Sequence, residues 1–409
     1  MKDVITFGCR LNIYESEIIK KNLISSGLEN VAVFNTCTVT KEAERQARQS
    51  IRQYKKNHPD AKIIVTGCAA QANPESFKHM KEIDKIIGNE EKLHEQYYQF
   101  GEEKIAVNDI MSVKETSHHL VQHFDGKSRA FIQVQNGCDH RCTFCIIPFG
   151  RGNSRSVPIG EIVKQVRVLI EQDYKEVVLT GVDVTAYGPD LPGSPTFAQM
   201  IRRLLSSVPE LERLRLSSID VAEIDEDLFE LMAYEKRLMP HFHISLQAGD
   251  NMILKRMKRR HNRDQILQYC DKLRSIRPNV AFGADIIAGF PTESDEMFEN
   301  TRKIIAEAGI QYPHIFPYSE RDGTPAARMP QVPKQLRKER AAILREEGAK
   351  AHALFLQNSI GQKAQILVEQ DNIGRTENFI QVRLERNHIP GTIISSTLKE
   401  VDGNMMLAE

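Results

Sequence analysis

The chain has 409 residues, of which 41% are hydrophobic and 27% charged, a composition typical of a folded protein with two or three domains. Its 55 lysines and arginines balance 55 aspartates and glutamates, so any binding of nucleic acid must depend on local basic patches. No stretch approaches the roughly 20 apolar residues that span a membrane, and the first residues lack a signal-peptide pattern. We therefore expect a cytoplasmic protein with no membrane partner.

The cysteines fall into two groups of three and one single residue. The groups are Cys9, Cys37 and Cys68; Cys138, Cys142 and Cys145; and Cys270 alone. Because the cytosol is reducing, we expect metal ligands or free thiols rather than disulfides. Cys270 has no neighbouring cysteine, so we expect a buried free thiol there.

The first 110 residues alternate between strand-like and helical runs, and we predict that they form one domain. Predicted strands cover Asp3–Gly8, Val31–Thr36, Lys62–Gly67, Lys85–Gly88 and Lys104–Val107, and predicted helices cover Asn12–Ser26 and Lys41–Lys56. This order predicts an open α/β domain with a parallel sheet and right-handed crossovers. In such sheets, ligands bind beyond the carboxyl ends of the strands.

Each N-terminal cysteine comes one residue after one of the first three predicted strands. The three thiols should therefore meet at one edge of the sheet. Three inert core cysteines are the alternative, but the repeated placement favours a set of ligands. We predict that Cys9, Cys37 and Cys68 hold an iron–sulfur cluster and leave one iron free.

Residues 111–128 are predicted to form a linker. This segment contains His118, His119 and His123, which could bind a metal ion. No helical i, i+4 pair and no nearby cysteine supports that role. We interpret the segment as solvated.

The second cysteine group has Cys-x3-Cys-x2-Cys spacing, from Cys138 through Cys142 to Cys145. Three thiols are one fewer than a closed zinc site needs, so the spacing indicates a soft-ligand metal centre with an open position. An iron–sulfur cluster with one unligated iron fits best. A structural zinc ion with His140 as the fourth ligand is the alternative.

This loop, with Phe144 before its last cysteine, resembles the cluster loop of radical S-adenosylmethionine (SAM) enzymes. From residue 129 to 345, six strand-like runs follow one another with helical runs between them. The strands are Ala130–Gln135, Glu176–Gly181, Arg213–Ser218, His241–Gln247, Val280–Phe290 and His314–Ser319, and the helices include Ile159–Glu171, Gln199–Ser206, Arg263–Ile276 and Ser294–Glu307. This pattern predicts a closed or three-quarter (β/α)6 barrel with its active face at the carboxyl ends of the strands.

The radical SAM resemblance implies a pocket for SAM at that face. Phe144 matches the aromatic residue beside the adenine, and Gly181 matches the position that holds the methionyl amine. Ser217, Gln247, Asp285 and Phe316 match other positions that line the pocket. The run Thr180-Gly181-Val182-Asp183 departs from the usual Gly-Gly-Glu, which leaves the roles of Val182 and Asp183 open.

A basic run extends from Lys255 to Arg263. Its charge density is sufficient to bind a phosphate backbone, so we predict contact with RNA there. A solvated helix end is the alternative interpretation.

A connecting helix is predicted at Pro333–Asn358. Residues 346–409 are predicted to contain the end of this helix and a small antiparallel β-barrel. Its strands are predicted at Ala364–Glu369, Phe379–Leu384, Thr392–Leu398 and Met405–Leu407, with turns at Gly374, Gly391 and Gly403. The segments Leu367-Val368-Glu369 and Gly374-Arg375-Thr376-Glu377-Asn378 resemble the RNA-binding TRAM domain.

The three parts, in this order, resemble the methylthiotransferase family of radical SAM enzymes over nearly the whole chain. The motifs Gly8–Glu17, Asn35–Thr40 and Phe316–Ser319 are most similar to the branch that acts on threonylcarbamoyladenosine in tRNA. The resemblance implies two [4Fe–4S] clusters and SAM as cofactors. It also implies conversion of N6-threonylcarbamoyladenosine at tRNA position 37 to its 2-methylthio derivative.

In that family, the cluster on Cys138, Cys142 and Cys145 would be catalytic. It would reduce SAM to a radical that removes hydrogen from carbon 2 of adenine, and the second cluster would carry the sulfur. The implied partners are a tRNA anticodon loop, an electron donor and a sulfur donor. The alternatives are the same chemistry on isopentenyladenosine tRNA or a ribosomal-protein aspartate and, more distantly, a non-catalytic RNA-binding protein with structural metal.

Overall fold

The computed structural model describes residues 2–116 and 119–409, so the predicted linker residue His118 lies outside the described residues. The N-terminal part contains a five-stranded parallel sheet in the order β1-β2-β3-β4-β5. Its elements are β1 Lys2–Thr6, α1 Arg10–Ser25, β2 Val31–Thr36, α2 Lys41–Asn57, β3 Lys62–Gly67, α3 Cys68–Ala72, α4 Glu75–Lys78, β4 Lys85–Ile87 and β5 Ile105–Ala106.

Apolar side chains alternate between the two faces of this sheet along its central strands, and helices cover both faces. Ala32 and Phe34 pack on the face that carries Ile51 of α2. Val33 packs on the opposite face, against Ile19 of α1. The N-terminal prediction of an open parallel-sheet α/β domain is therefore confirmed.

The central part contains six parallel strands in two three-stranded sheets, ordered β10-β9-β6 and β11-β12-β13. Its elements are β6 Arg129–Gln133, β7 Gln135–Asn136, α5 Ile147–Arg151, β8 Arg155–Ser156, α6 Ile159–Glu171, β9 Glu176–Thr180, α7 Phe197–Ser207, β10 Arg213–Leu216, α8 Glu226–Tyr234, β11 His241–Gln247, α9 Asn251–Met257, α10 Arg263–Ile276, β12 Ala281–Ala288, α11 Asp295–Glu307 and β13 Ile310–Pro317. Two isolated bridges, Leu214 to Leu238 and Ile219 to Ile244, join the sheets. The arrangement is the predicted partial barrel.

The last central strand starts four residues earlier than the pattern predicts, at Ile310 instead of His314. Pro313 lies inside it, and a proline cannot donate a hydrogen bond to a neighbouring strand. β13 is at the edge of its sheet and pairs only with β12, so the missing donor is tolerated.

The C-terminal part is a closed barrel, as predicted, and it follows a long helix. It has five strands, and the pair Gln381–Leu384 and Met405–Ala408 is parallel, whereas an antiparallel barrel was predicted. Its elements are α12 Lys334–Asn358, β14 Lys363–Gln370, β15 Ile373–Arg375, β16 Gln381–Leu384, β17 Ile393–Asp402 and β18 Met405–Ala408. The turns at Gly391 and Gly403 have positive φ, as expected. The predicted turn at Gly374 is wrong because this residue lies within β15, where a side chain would come within 2.5 Å of Ile366.

The C-terminal barrel docks at the amino ends of the central strands. Arg215 donates hydrogen bonds to the backbone oxygens of Thr376 and Glu377, at 3.0 and 2.9 Å. The Phe379 ring stacks on His241, the first residue of β11, with the ring centroids 4.5 Å apart. The cysteine loop after β6 therefore lies at the opposite end of the strands, which is the end predicted to be active.

Among the described residues, no helix combines the length and the apolar composition that crossing a bilayer requires.

Candidate functional site

The N-terminal cysteines follow three neighbouring parallel strands and lie close together. The Cys37 side chain packs against Gly8, the residue before Cys9, so closely that a Cβ on Gly8 would lie 2.9 Å from the Cys37 Sγ. Burial, followed by the field of Cys68, raises the pKa of Cys37 to about 12, and Cys9 adds to this effect. Thiolates are the form that binds metal, so burial keeps this group protonated until a metal centre displaces the protons.

Gly67 ends β3, and its backbone conformation sets the direction of Cys68, the next residue. Its φ is +95°, and a Cβ there would lie 2.3 Å from the Thr36 backbone oxygen. We expect Gly67→Ala to cost about 3 kcal/mol of folding free energy, because backbone strain and overlap add. The variant should also lose iron bound near Cys68. Denaturant unfolding and iron analysis of anaerobically prepared protein measure both effects.

Gly27→Ala is the matched control for this prediction. Gly27 also has positive φ, +69°, but no heavy atom lies within 4 Å of a Cβ built there. We expect a cost of about 1 kcal/mol and an unchanged iron content. Equal losses of folding free energy and of iron in Gly67→Ala and Gly27→Ala would contradict the role assigned to close packing at Gly67.

The central cysteines lie on a loop whose base is closed by a small hairpin. β7 pairs with β8, and the Cys138 backbone nitrogen donates to the Gly152 oxygen at 3.1 Å. The Cys145 nitrogen donates to the Cys142 oxygen at 3.1 Å, which keeps these two thiols on one turn. Burial is the largest cause that raises the pKa of Cys145, to about 11.

Charged side chains lie beside these thiols. Arg259 places its Nη1 atom 3.7 Å from the Cys142 Sγ, and the Cys138 Sγ lies 3.7 Å from an oxygen of Asp183. Burial and then the field of Asp183 raise the pKa of Cys138. The loop therefore has one cationic neighbour and one anionic neighbour.

The two cysteine groups adjoin each other. α5, which follows Cys145, packs on α3, which begins at Cys68, and a Cβ on Gly150 would lie 3.2 Å from the Cys68 Cβ. The Asn89 amide donates to the Gly150 oxygen and lies 3.7 Å from the Cys68 Sγ. Groups held by the two cysteine sets would thus be neighbours.

A buried charged network holds the two parts together behind the N-terminal thiols. Arg151 of α5 donates two hydrogen bonds to Glu15 of α1, at 2.7 and 3.0 Å, and Lys92 donates to the same carboxylate at 2.7 Å. All three side chains are at most 2% exposed. Burial opposes ionisation of Glu15, but Arg151 and Lys92 hold its pKa below the usual value. Two cations for one carboxylate leave a positive charge beside the thiols.

His140 binds two carboxylates through one of its ring nitrogens. Its Nε2 atom lies 2.9 Å from Asp183 and 3.3 Å from Glu223. Hydrogen bonds to these two residues raise the pKa of His140 to about 10, so the ring is a cation at neutral pH.

Five of the six residues predicted to bind SAM lie at the carboxyl ends of the central strands or in the cysteine loop. They are Phe144 in the loop, Gly181 and Ser217 directly after β9 and β10, Gln247 at the end of β11, and Phe316 near the end of β13. Phe144 packs edge-on against Phe290, so an apolar surface lies beside the cysteine loop. A side chain on Gly181 would lie 2.8 Å from the Gln135 backbone oxygen.

Asp285 lies deeper than the other five, in the middle of β12. Its Oδ1 atom is 3.1 Å from His243 and 3.4 Å from His314, on the two adjacent strands. Although burial opposes ionisation, hydrogen bonds from these histidines lower the pKa of Asp285. Its position places this carboxylate inside the barrel, below the mouth.

The donor set fits the groups that the sequence resemblance implies. Each cysteine set offers three soft ligands and leaves a fourth position to another molecule. The Ser217 Oγ atom is buried without a hydrogen-bond partner, and a polar ligand could satisfy it.

The arginines of the basic run from Lys255 to Arg263 bind acceptors of the protein itself, although Arg260 stays exposed. The acceptors are the Thr292 oxygen for Arg256, Asp220 for Arg259, Asp220 and Glu223 for Arg260, and the Gly249 and Asn300 oxygens for Arg263. Lys255 and Lys258 stay exposed. Internal pairing leaves this run with much less charge to offer an RNA backbone.

Sequence reasoning missed several charged residues of the barrel interior. Arg10, Glu176 and Arg215 all lie there, and Glu176 and Arg215 are at most 1% exposed. Burial, followed by the field of Arg129, lowers the pKa of Arg10 to about 10. The sequence signal for Arg215 is its position two residues after Arg213. Alternate residues of a strand share a face, so the two arginines are expected on the same side of β10. No comparable signal marks Arg10.

The partial barrel, its three-cysteine loop and the residues around the mouth define a radical SAM enzyme. Residues 132–305 match the model of the Radical SAM superfamily, and residues 2–88 match that of an uncharacterized protein family, UPF0004. Membership of this superfamily implies SAM and a [4Fe–4S] cluster as cofactors.

Relatives assign the chain to a narrower family. It is 67% identical to the threonylcarbamoyladenosine tRNA methylthiotransferase MtaB of Rickettsia prowazekii, over 99% of this chain and 96% of the relative. Its identity is 38% to the enzyme of that name from Aquifex aeolicus, over 93% and 95% of the chains. Its identity to a tRNA-2-methylthio-N(6)-dimethylallyladenosine synthase of Ehrlichia chaffeensis is 30%, over 91% of this chain and 90% of the relative. The chain belongs to the threonylcarbamoyladenosine tRNA methylthiotransferase family, which confirms the resemblance found in the sequence.

A solved structure supports the fold alone. The radical SAM methyltransferase TsrM of Kitasatospora setae, with tryptophan and a SAM analogue bound, superposes with a TM-score of 0.58 at 14% identity. The match covers 80% of this chain and 74% of TsrM.

Proposed function

We propose that this enzyme converts N6-threonylcarbamoyladenosine at position 37 of tRNA to its 2-methylthio derivative. The names of relatives at 67%, 38% and 35% identity support this assignment. The observation that carries it is the contact between Gly150 and Cys68, because it makes neighbours of two three-thiol sets. Transfer of a sulfur group to a radical-activated carbon needs two such centres side by side.

In this proposal, Cys138, Cys142 and Cys145 hold the catalytic [4Fe–4S] cluster, and Cys9, Cys37 and Cys68 hold a second one. SAM occupies the mouth, against Phe144, Gly181, Ser217, Gln247 and Phe316, with Asp285 beneath. When bound, the first cluster supplies an electron to SAM, and the second supplies an iron for the sulfur to be transferred.

The residues around the cysteines position and stabilise these groups. Arg259 lies against Cys142, with its Nη1 atom 3.7 Å from the Sγ atom. Arg151 and Lys92 place positive charge beside Cys68, and each has this thiol among its electrostatic partners. Gln135 accepts from the backbone nitrogens of Val182 and Asp183, at 3.0 and 2.9 Å, which fixes the turn after Gly181.

The proposed partners are a tRNA anticodon loop, an electron donor and a sulfur donor, in the cytoplasm. Bases of an anticodon loop can leave the stack at little cost, which suits a reaction at carbon 2 of adenine. We also propose the division into a methylthiotransferase domain (1–110), a linker (111–128), a radical SAM core (129–345) and a segment with a TRAM-like barrel (346–409). Helix α12 continues across the last of these boundaries.

Nucleoside analysis tests the proposal. Purified enzyme, reconstituted anaerobically with iron and sulfide, is incubated with SAM, a low-potential chemical reductant and tRNA that carries threonylcarbamoyladenosine, and the digest is analysed by mass spectrometry. We expect the mass of the 2-methylthio nucleoside to appear. Product only from isopentenyladenosine tRNA, or only on a ribosomal protein, would reassign the substrate, and an absence of SAM cleavage would favour a non-catalytic metal protein.

A further inference from the structure

Arg10 is a cation without a partner inside the barrel. It begins α1, directly after Cys9, and its side chain is mostly buried but keeps some access to solvent. No hydrogen bond or ion pair joins its guanidinium to any residue in 2–116 or 119–409, although Arg129, Arg215, Arg375 and the Glu176 carboxylate are close enough for their fields to act on it. Three cationic neighbours outnumber the one anionic neighbour, and a largely buried guanidinium without a directly bound counter-charge is costly, so the position favours an anionic guest.

The surroundings of Arg10 are also cationic. We name as the arginine floor the following group: Arg10, Arg129, Arg213, Arg215 and Arg375, with Glu176 and Glu369. Glu176 binds Arg215 at 2.7 Å and Arg213 at 3.7 Å, while Glu369 binds Arg129 at 2.8 Å and Arg375 at 3.2 Å. Arg129 also lies 4.0 Å from Glu176. The two carboxylates are thus shared among four guanidiniums, and within this group Arg10 has no ion pair.

Three residues of the arginine floor lie on the inner face of the central barrel, at the strand ends opposite the cysteine loop. Arg129, Glu176 and Arg213 are register partners at the start of three adjacent strands. Strand β9 runs from Glu176 to Thr180, so about 13 Å separate the floor from the residue before Gly181. A nucleobase held at the mouth with a substituent pointing inward can bridge much of this distance.

Neutral polar groups beside the floor also lack partners. The His241 Nε2 and Tyr312 Oη atoms are buried without hydrogen bonds, and their rings are 5.2 Å apart. His241 has both Arg10 and Arg215 among its electrostatic neighbours. The described part of the interior therefore offers the Arg10 cation beside polar atoms without partners, which include the Arg213 Nη1 atom of the arginine floor, and this set suits a small polar acid better than an alkyl group.

We propose that Arg10 determines substrate specificity by binding the carboxylate of the N6-threonylcarbamoyl group, an inference that rests on the proposed function. This group is a threonine joined to the base through a urea, so its carboxylate is about 5 Å from N6. A guanidinium can bind a carboxylate through two parallel hydrogen bonds. An isopentenyl group would leave Arg10 buried and unpaired, so the same residue rejects that substrate.

A binding experiment on the reconstituted holoenzyme tests this role. Synthetic anticodon stem-loops carry adenosine, N6-threonylcarbamoyladenosine or the methyl ester of the latter, which removes only the negative charge. Wild-type enzyme is expected to bind the acid about 10- to 100-fold more tightly than the ester, the range of a charge-assisted pair. In Arg10→Gln the acid and the ester should bind equally, with the affinity for the adenosine loop within about twofold of wild type.

Two variants and one comparison control the experiment. Arg10→Lys keeps the charge and should retain part of the preference for the acid, whereas Arg203→Gln, at an exposed position on α7, should retain all of it. Iron content and melting temperature show whether Arg10→Gln remains loaded and folded. The ester comparison on wild-type enzyme needs no variant, and equal affinities for acid and ester overturn the inference.

The outcomes separate this inference from the proposed function. If wild-type enzyme forms no methylthio product from the acid-bearing tRNA, the proposed function fails. If product forms and Arg10→Gln still prefers the acid over the ester, the assignment of Arg10 alone fails. A uniform loss of affinity for all three loops would indicate that Arg10 binds the RNA backbone, and this result also overturns the inference.

Discussion

Cys142→Ala is expected to abolish SAM cleavage and to halve the bound iron, from about eight to about four atoms per chain. Cys142 lies between the two other thiols of the central loop and beside Arg259. Its loss leaves two ligands, which are too few to hold a four-iron cluster in place. Chromatography of 5'-deoxyadenosine and iron analysis of anaerobically reconstituted protein measure the two effects.

Two other cysteines provide the controls. Cys37→Ala should also halve the iron but should leave reductive SAM cleavage measurable, while methylthio product disappears. Cys270 is fully buried in α10 and is remote in sequence from both thiol groups, so Cys270→Ala should keep both the iron and the cleavage. Normal SAM cleavage by Cys142→Ala would remove the catalytic role assigned to the central loop.

Arg151→Met is expected to destabilise the protein by about 3 to 5 kcal/mol, the cost of removing one partner from a buried ion pair. Glu15 then keeps Lys92 alone, and the Glu15 Oε1 atom loses the hydrogen bond from Arg151 at 2.7 Å. The link between α5 and α1 is lost as well, so the N-terminal thiols should retain iron less well. Denaturant unfolding and the rate of iron loss to a chelator measure these effects.

Arg151→Lys tests the effect of charge separately from that of geometry. Lysine keeps the positive charge but cannot donate hydrogen bonds in the same two directions as arginine. It should lose less stability than Arg151→Met and should retain more iron. Arg45→Ala removes an arginine of an exposed pair with Glu42 on α2, and its unfolding midpoint should match that of wild type. A wild-type midpoint for Arg151→Met would show that the buried network contributes little to stability.

The sequence predicts most of the fold because the strands of this protein are short, apolar and bounded by polar or turn residues. β2, β3 and β11 begin and end where the pattern places them. The same regularity locates the cysteines, since a residue directly after a buried strand must lie at the edge of a parallel sheet. The pattern fails at Pro313 and Gly374, two residue types that usually interrupt a strand. Here each lies within a strand, because its particular surroundings permit it.

The candidate site is less predictable, because pairing between distant residues determines the role of a charge. The arginines after Lys255 look available in the sequence, yet Asp220 and Glu223, more than thirty positions earlier, bind two of them. Asp285 resembles a ligand position, but His243 and His314 engage its carboxylate. Arg10 could not be identified either, because its distinguishing feature is the partner that it lacks.

The docking of the C-terminal barrel also has a consequence for biosynthesis. Thr376, Glu377 and Phe379 close the base of the central barrel, and a ribosome makes them after all the strands of that barrel. Until they emerge, Arg215 cannot form its bonds to their backbone, and that base stays open to water. A nascent chain stalled before this point would therefore expose an incomplete, charged interior, which chaperones and proteases can detect.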